Sequence, residues 1–528
     1  MLSKFWRLYV AISAFLIFLG VIWLVKVPVL TGIAFYSVFL FLLFLNNKKS
    51  VLRTVTMDNL GINGRIVTCF FALIMIVLCV LPMDLAPFWN GQIPMHRNQY
   101  ELLADSILDG HLYIDYDDID ERLLAMENPY DYEERLKQEI LYHWDHAFYK
   151  GHYYMYFGVV PVFVLFIPFK LIFGKTLVTF HATQFFVMFS IIAFFLLFIQ
   201  LCKRFYKKMP LGTYLLTTMA VCMITLGYIV QAPALYCTAI SGGIFFMLWS
   251  LNCYFYAVYF AKKEWMQVLL ACLGAIFGAL AFGCRPPVAL ANIIAIPLAI
   301  TYAKNYKGKH IIRNFILIAL PYVIIGALLM LYNYLRFENP FEFGQAYQLT
   351  SYDQTVYMSF FDRIDLFAIL SGLFNNFFTV GTIESLFPHF FYGGLYITYP
   401  LMWLIVIYYS KGSVHNSMKL DKSRLLAFFI FIEPVIVTAV DTYWSPGLCE
   451  RYRLDEYFIV GIFAFMLAGY RLRSTDNQER SNAVISTFAV ASMLLAVLMF
   501  FYPCDANFAD FFPEKMNEIR HILTFGLQ

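Results

Sequence analysis

Apolar runs long enough to cross a bilayer start near residues 8, 29, 65, 177, 211, 236, 265, 287, 312, 390, 424, 456 and 483. Each approaches the roughly 20 residues that a membrane helix needs. The pattern predicts an all-α polytopic membrane protein with about 13 transmembrane helices and two extracytoplasmic loops carrying short helices. One further run, Met155–Phe173, is apolar but holds Gly158, Pro161 and Pro168 and runs into Lys170, Gly174 and Lys175. It reads as a juxtamembrane or re-entrant segment. Residues 1–64 form an N-terminal two-helix hairpin and linker. Residues 65–332 form a transmembrane module with a first outer loop at 84–155 and the juxtamembrane segment at 155–174. Residues 333–389 form a second outer loop, and residues 390–528 the C-terminal helices.

Composition excludes the other classes. Hydrophobic residues make up 61% of the 528, charged residues 14%, and the mean hydropathy is +0.67. Soluble domains carry about a quarter charged residues. Soluble, disordered, collagen-like and nucleic-acid-binding readings therefore fall away. No 20–50-residue repeat and no second-half copy of the first half is visible, which weakens an inverted-repeat transporter. The first run follows Lys4 and Arg7 but lacks a small-residue cleavage site, so it reads as a span and not a removable leader. The ten cysteines show no CxxC and no Cys/His cluster, so no zinc site is expected. Cys449 and Cys504 fall in external segments, where the topology allows a disulfide.

The net charge of +3 hides an asymmetry. Basic connectors recur around Lys48–Arg53, Lys203–Lys208, Lys262–Lys263, Lys304–Arg313, Lys411–Arg424 and Arg471–Arg480. With the N-terminus inside, thirteen spans put every one of them in the cytoplasm, as the positive-inside rule requires. That holds only if Met155–Phe173 does not cross. Then 23 of the 38 basic residues and 5 of the 35 acids are cytoplasmic, and the C-terminus is extracytoplasmic.

Candidate chemistry gathers on the outer side. In Asn98–Leu108, Leu102, Leu103, Ile107 and Leu108 share one helical face, while Asn98, Glu101 and Asp105 line the other. The run Asp115–Glu121 is the one place where a divalent cation would find oxygen ligands. It lacks the Gly and spacing of a calcium loop and reads as a solvated acidic turn. His143–Gly158 packs aromatics around Asp145, His143, His146 and His152. Tyr and Trp anchor chains at bilayer interfaces, but aromatic faces with a few polar groups also suit sugar rings. His143-x-x-His146 has no third ligand, so no metal is expected. Arg285 (in Gly283-Cys284-Arg285-Pro286-Pro287), Arg336 and Arg451, with Asp455 at i+4, stand at one outer level. Each alone suits interfacial snorkelling; together they suit a phosphate. Glu433, beside Pro434, lies in mid-span.

These stretches resemble the GT-C superfamily of integral-membrane glycosyltransferases, nearest its ArnT/PMT-like (family 39) branch of poorly characterised bacterial relatives. The resemblance rests on NQYELLADSILDGHLYID, YKGHYYMYFGVVPVFVLFIP, GALAFGCRPPVAL, YNYLRFENPFEFGQAYQL and ERYRLDEYF. It implies transfer of a sugar from a polyprenyl-phosphate donor to a glycan, lipid or protein acceptor of the cell envelope, in a bacterial inner membrane. Asn98, Gln99, Tyr100, His146, Tyr153, Tyr154, Tyr156, Arg285, Arg336, Arg451 and Asp455 would bind substrate. The chain departs from the family in two places. Asn98-Gln99 stands where the family has an Asp-Glu pair, and Gly158-Val159-Val160-Pro161 where it has His-Pro-Pro. An amide cannot serve as the base, so that role passes to Asp105 first, Asp145 second, or Glu101. Alternatives are a transporter or flippase of lipid-linked glycans, a polymerase, or a non-catalytic scaffold of the same fold.

Overall fold

The computed structural model describes residues 29–84, 98–233, 235–306, 308–356, 364–380, 393–445, 450–499 and 513–526. The first predicted span, Cys449 and Cys504 lie outside them. The chain is helical and polytopic. Among the described residues, nine helices are long and apolar enough to cross a membrane. They are α2 (Ile62–Met83), α5 (Thr179–Phe205), α6 (Leu211–Gln231), α7 (Tyr236–Tyr259), α8 (Glu264–Phe282), α9 (Pro286–Asn305), α10 (Ile311–Phe337), α12 (Arg424–Trp444) and α14 (Gln478–Met499). Each coincides with one of the thirteen predicted runs. Among the other elements are α1 (Val29–Leu45), α3 (Gln99–Leu108), α4 (Ile167–Phe173), α11 (Leu366–Phe378) and α13 (Leu454–Ser474).

Three of the remaining runs fall outside that set of nine. The run near 29 yields α1, whose described part is 17 residues long. The run near 390 is broken into Leu395–Thr398 and the short apolar helix Pro400–Tyr409, because Gly393, Gly394 and Pro400 interrupt it. The run near 456 forms α13, which is buried along nearly its whole length. α13 sits at the centre of the bundle, and the carboxylates of its first turn face protein.

Burial divides the helices. In α6 and α7, 83% of the apolar window is buried inside the protein; in α10 it is 6%. α10 instead exposes Ile312, Ile316, Leu320, Val323, Ile324, Leu328 and Leu331, as a helix facing lipid would. Small and hydroxyl residues join the inner helices. Asn46 donates to Thr213 (3.1 Å) and Ser486 (2.7 Å), and Asn252 donates to the Ala193 carbonyl (2.9 Å). Such groups are the usual glue between membrane helices.

The described part of the segment between α2 and α4, from residue 98, is an ordered platform. α3 ends at Leu108, with Gly110 at φ +98° completing the stop. β1 (Ala147–Tyr149) and β2 (His152–Tyr154) pair antiparallel. Their two-residue turn, Lys150-Gly151, has φ +48° and +83°, the twist that tight hairpins favour. The segment after α10 adds a strand-like edge: Phe148 N–H donates to the Tyr347 carbonyl (2.8 Å), and Leu349 N–H to the His146 carbonyl (2.9 Å).

Met155–Phe173 leaves the hairpin through one π-helical turn, Val162–Phe166, into α4. Its fourteen helical residues, 160–173, span about 21 Å, short of the ~30 Å hydrocarbon core. Val162 and Phe166 pack on α3, with Phe166 stacked on Tyr100 at 5.6 Å.

Candidate functional site

Asp145 is the focus of the platform. It is buried, and its backbone is left-handed at φ +62°. Asp tolerates that conformation better than most residues, yet such strain tends to collect at functional sites. Three donors hold its carboxylate: Tyr156 hydroxyl at 3.0 Å, Gln348 Nε2 at 3.1 Å, and the Tyr236 hydroxyl. All three donate to its carboxyl oxygens. Tyr236 is presented at the start of α7 by a second strained residue, Leu235, at φ +28°. The donors come from β2's exit, the segment after α10 and α7, so three separate segments position one side chain.

Tyr236 also links Asp145 to the arginines. The Arg451 guanidinium lies 4.2 Å from its ring centroid and 5.6 Å from that of Tyr452. The Arg285 guanidinium lies 4.9 Å from the same Tyr452 ring. Arg285 donates to Asp455 through Nε (3.0 and 3.2 Å) and one Nη (2.8 Å). Burial alone would disfavour its charge, but the fully buried Asp455 carboxylate outweighs that and raises the Arg285 pKa. The turn bearing Arg285 is locked to the hairpin exit. Val160 N–H donates to the Gly283 carbonyl (3.0 Å), and a Cβ on Gly158 would fall 2.1 Å from the Cys284 carbonyl oxygen. Only glycine permits that approach.

The other predicted residues divide clearly. Glu101 accepts from Thr179 N–H at 2.6 Å and so caps the N-terminus of α5. Burial raises its pKa, the bond to Thr179 works against that rise, and Asp105 adds to it. Asp105 pairs with Lys170 of α4 on a partly exposed surface. Neither carboxylate touches Asp145 or the arginines. Arg336 donates to the Met155 carbonyl (2.7 Å) and Asn333 (2.9 Å), with its guanidinium 4.0 Å from the Tyr332 centroid and 4.5 Å from that of Phe337. It clamps the hairpin exit to α10 and stands apart from the Arg285–Tyr452–Arg451 stack.

Asn98 begins α3 without a side-chain cap. Gln99 is buried, with Nε2 3.4 Å from both the Asp145 carbonyl and His146 Nδ1. Tyr100 is fully buried, and its hydroxyl has no hydrogen-bond partner among the described residues. Burial pushes its pKa well up, Cys284 adds to this, and the nearby Arg285 charge opposes it.

His146 is buried at the heart of an aromatic cage with Tyr116 and Tyr153. Nδ1 lies 2.9 Å from the Trp144 carbonyl and Nε2 2.8 Å from the Tyr116 hydroxyl. The carbonyl can only accept, which places the proton on Nδ1. Burial lowers the His146 pKa to about 4, against the bond to Trp144 and with help from His143, so the ring is neutral near pH 7. Tyr154 packs on Phe337 and Tyr113 instead. The acid run is engaged internally: Asp120 caps Glu121–Ala125 and is held by Arg122, Asp118 lies 3.0 Å from His143, and Asp115 2.9 Å from His111. Among the described residues no three His, Cys, Asp or Glu side chains converge as metal ligands would.

Tyr236, Tyr452 and Gln348 were not singled out from the sequence. Each resembles an ordinary interfacial or loop residue, and only Tyr236's place just after Pro233 was a clue. Behind Arg285 lies a set of buried acids, of which Asp441 and Glu456 were not singled out either. Asp441 lies against Asp455, and Glu456 accepts from Asn376. Glu433 is fully buried, with neither oxygen hydrogen-bonded among the described residues. No family model, curated protein or solved structure matches the chain.

Proposed function

We propose that this chain is a membrane glycosyltransferase of GT-C type, transferring a sugar from a polyprenyl-phosphate donor to an envelope glycan, lipid or protein. The observation that carries the reading is the strained, buried Asp145, one tyrosine ring away from the Arg451–Tyr452–Arg285 stack. The acceptor hydroxyl oxygen attacks the anomeric carbon while the carbon–phosphate oxygen bond breaks. Asp145 takes the hydroxyl proton, and the two arginines neutralise the leaving polyprenyl phosphate. The anomeric centre inverts. Asp145 replaces Asp105 as first choice of base, because Asp105 is committed to Lys170. Gln99, Tyr100, His146, Tyr153 and Tyr156 form the platform on which the sugar sits.

The same reading carries the finer topology: thirteen spans, the N-terminus cytoplasmic, the platform and C-terminus outside, in a bacterial inner membrane. Purified protein incubated with a polyprenyl-phosphate sugar should consume the donor in the presence of acceptor. Intact donor after incubation with a panel of sugars and envelope acceptors would count against catalysis.

One observation favours a second reading, ion-coupled transport of a lipid-linked glycan. Intramembrane ionisable groups often mark ion paths, and the Glu433 carboxyl is buried without a hydrogen bond among the described residues. In that case Glu433→Gln abolishes flipping and no glycosidic bond forms.

A further inference from the structure

At the other end of the bundle lies a cavity of about 510 Å³. α5 connects the two ends: Thr179 at its start meets Glu101, and the Phe205 carbonyl at its close meets Arg473. Its 27 residues separate them by about 40 Å. Arg53, Arg204, Lys207, Lys208 and Arg473 line the cavity against a single acid, Asp421. Asp421 is already paired with Arg473. Among the described residues no carboxylate pairs Arg204, Lys207 or Lys208.

The walls are held in place. Met57 N–H donates to the Met209 carbonyl (3.0 Å), Asp58 N–H to the Lys207 carbonyl (2.8 Å), and Leu211 N–H to the Val55 carbonyl (2.9 Å). The Arg204 guanidinium lies 5.0 Å from the ring centroids of both Phe205 and Tyr259. Tyr206 also lines the cavity. Its ring sits on the α13 backbone, where a Cβ on Gly469 would come within 2.5 Å of it. Tyr206 is buried, yet its hydroxyl has no hydrogen-bond partner among the described residues. Gathering like charges and orphaning a buried hydroxyl both cost free energy that an anionic ligand would recover. The volume suits a small ligand. Guanidinium, ammonium and hydroxyl donors together match phosphate oxygens.

We propose that this pocket binds a phosphate-bearing anion, at a site separate from the Asp145 platform and independent of the glycosyltransferase reading. Two sources carry that chemistry: an anionic phospholipid headgroup and a soluble phosphate compound. The test uses the full-length protein in neutral detergent, as wild type, Lys207→Gln/Lys208→Gln, the charge-keeping Lys207→Arg/Lys208→Arg, and Tyr206→Phe. One arm counts lipid retained from vesicles of phosphatidylcholine with or without phosphatidylglycerol. The other follows the thermal shift produced by inorganic pyrophosphate.

We expect wild type to bind in at least one arm. Affinity should fall at least about tenfold in the Gln pair, since each basic residue near an anionic lipid surface contributes about 1 kcal/mol. The Arg pair should keep binding, and Tyr206→Phe, which leaves ring packing intact, should weaken it several-fold. Binding in the lipid arm alone assigns a headgroup; in the pyrophosphate arm alone, a soluble ligand. No binding by wild type in either arm, or equal binding by wild type, the Gln pair and Tyr206→Phe, overturns the proposal.

Discussion

At the platform end of the bundle, charge is answered from within. Asp145 has three donors, and Arg285 holds Asp455 through two nitrogens. At the opposite end, Arg204, Lys207 and Lys208 border a cavity whose one acid is spent on Arg473. Internal neutralisation fixes geometry, which a reacting centre needs. Unanswered charge leaves affinity for something outside the chain. On the two readings proposed above, the ends would do different work, chemistry at one and anion capture at the other.

The sharpest way to break this contrast is to unbalance the answered end. Arg285→Met leaves Asp455 buried beside Asp441 without its cation, and removing one partner of a buried ion pair costs about 3–5 kcal/mol. Thermal unfolding in detergent should show that loss, and Arg285→Lys should recover only part of it, because a single ammonium cannot reproduce the two-nitrogen contact. A loss below ~1 kcal/mol would make the pair ornamental.

Next in size, Asp145→Asn should lower the turnover of donor by roughly 10²–10⁴-fold, the usual worth of a general base, with the unfolding temperature little changed. Asp105→Asn, by contrast, breaks only a partly exposed pair worth about 0–1 kcal/mol and should leave turnover alone. The reverse outcome would return the base to Asp105.

A smaller effect follows from His146. Its pKa is lowered to about 4 by burial, while the unfolded chain titrates near 6.5. Between those values the unfolded state binds the extra proton, so stability falls as pH drops from about 6.5 to 4 and levels off below. The span corresponds to about 3 kcal/mol at most. Unfolding followed across that window should show the slope in wild type and lose it in His146→Gln. Smallest of all, Glu101→Ala removes the cap of α5 and should cost about 1 kcal/mol, with no change in anion binding at the far end.

Much of this architecture is legible in the chain before folding. Unbroken apolar runs and clustered lysines and arginines are local signals, and nine of the runs match long helices. The aromatic cluster around Asp145, and the interruption of the apolar run that follows it, can also be read from Gly, Pro and Tyr positions. The central burial of α13 was not legible, because Asp455, Glu456, Arg471 and Arg473 make it look like an edge helix. The break near 390 was missed because hydropathy averages over Gly393, Gly394 and Pro400.

Sequence alone determined the class, since a chain with 14% charged residues cannot cover its apolar runs with water-facing side chains. It also determined which residues could act, since carboxylates, arginines and aromatics declare their chemistry by type. Tertiary structure alone decided among them. Glu101, Asp105 and Asp145 look alike as candidates, yet one caps a helix, one meets a lysine, and one is held by residues 11, 91 and 203 positions away. Partners so far along the chain leave no periodic trace, and it is partners that determine what a carboxylate does.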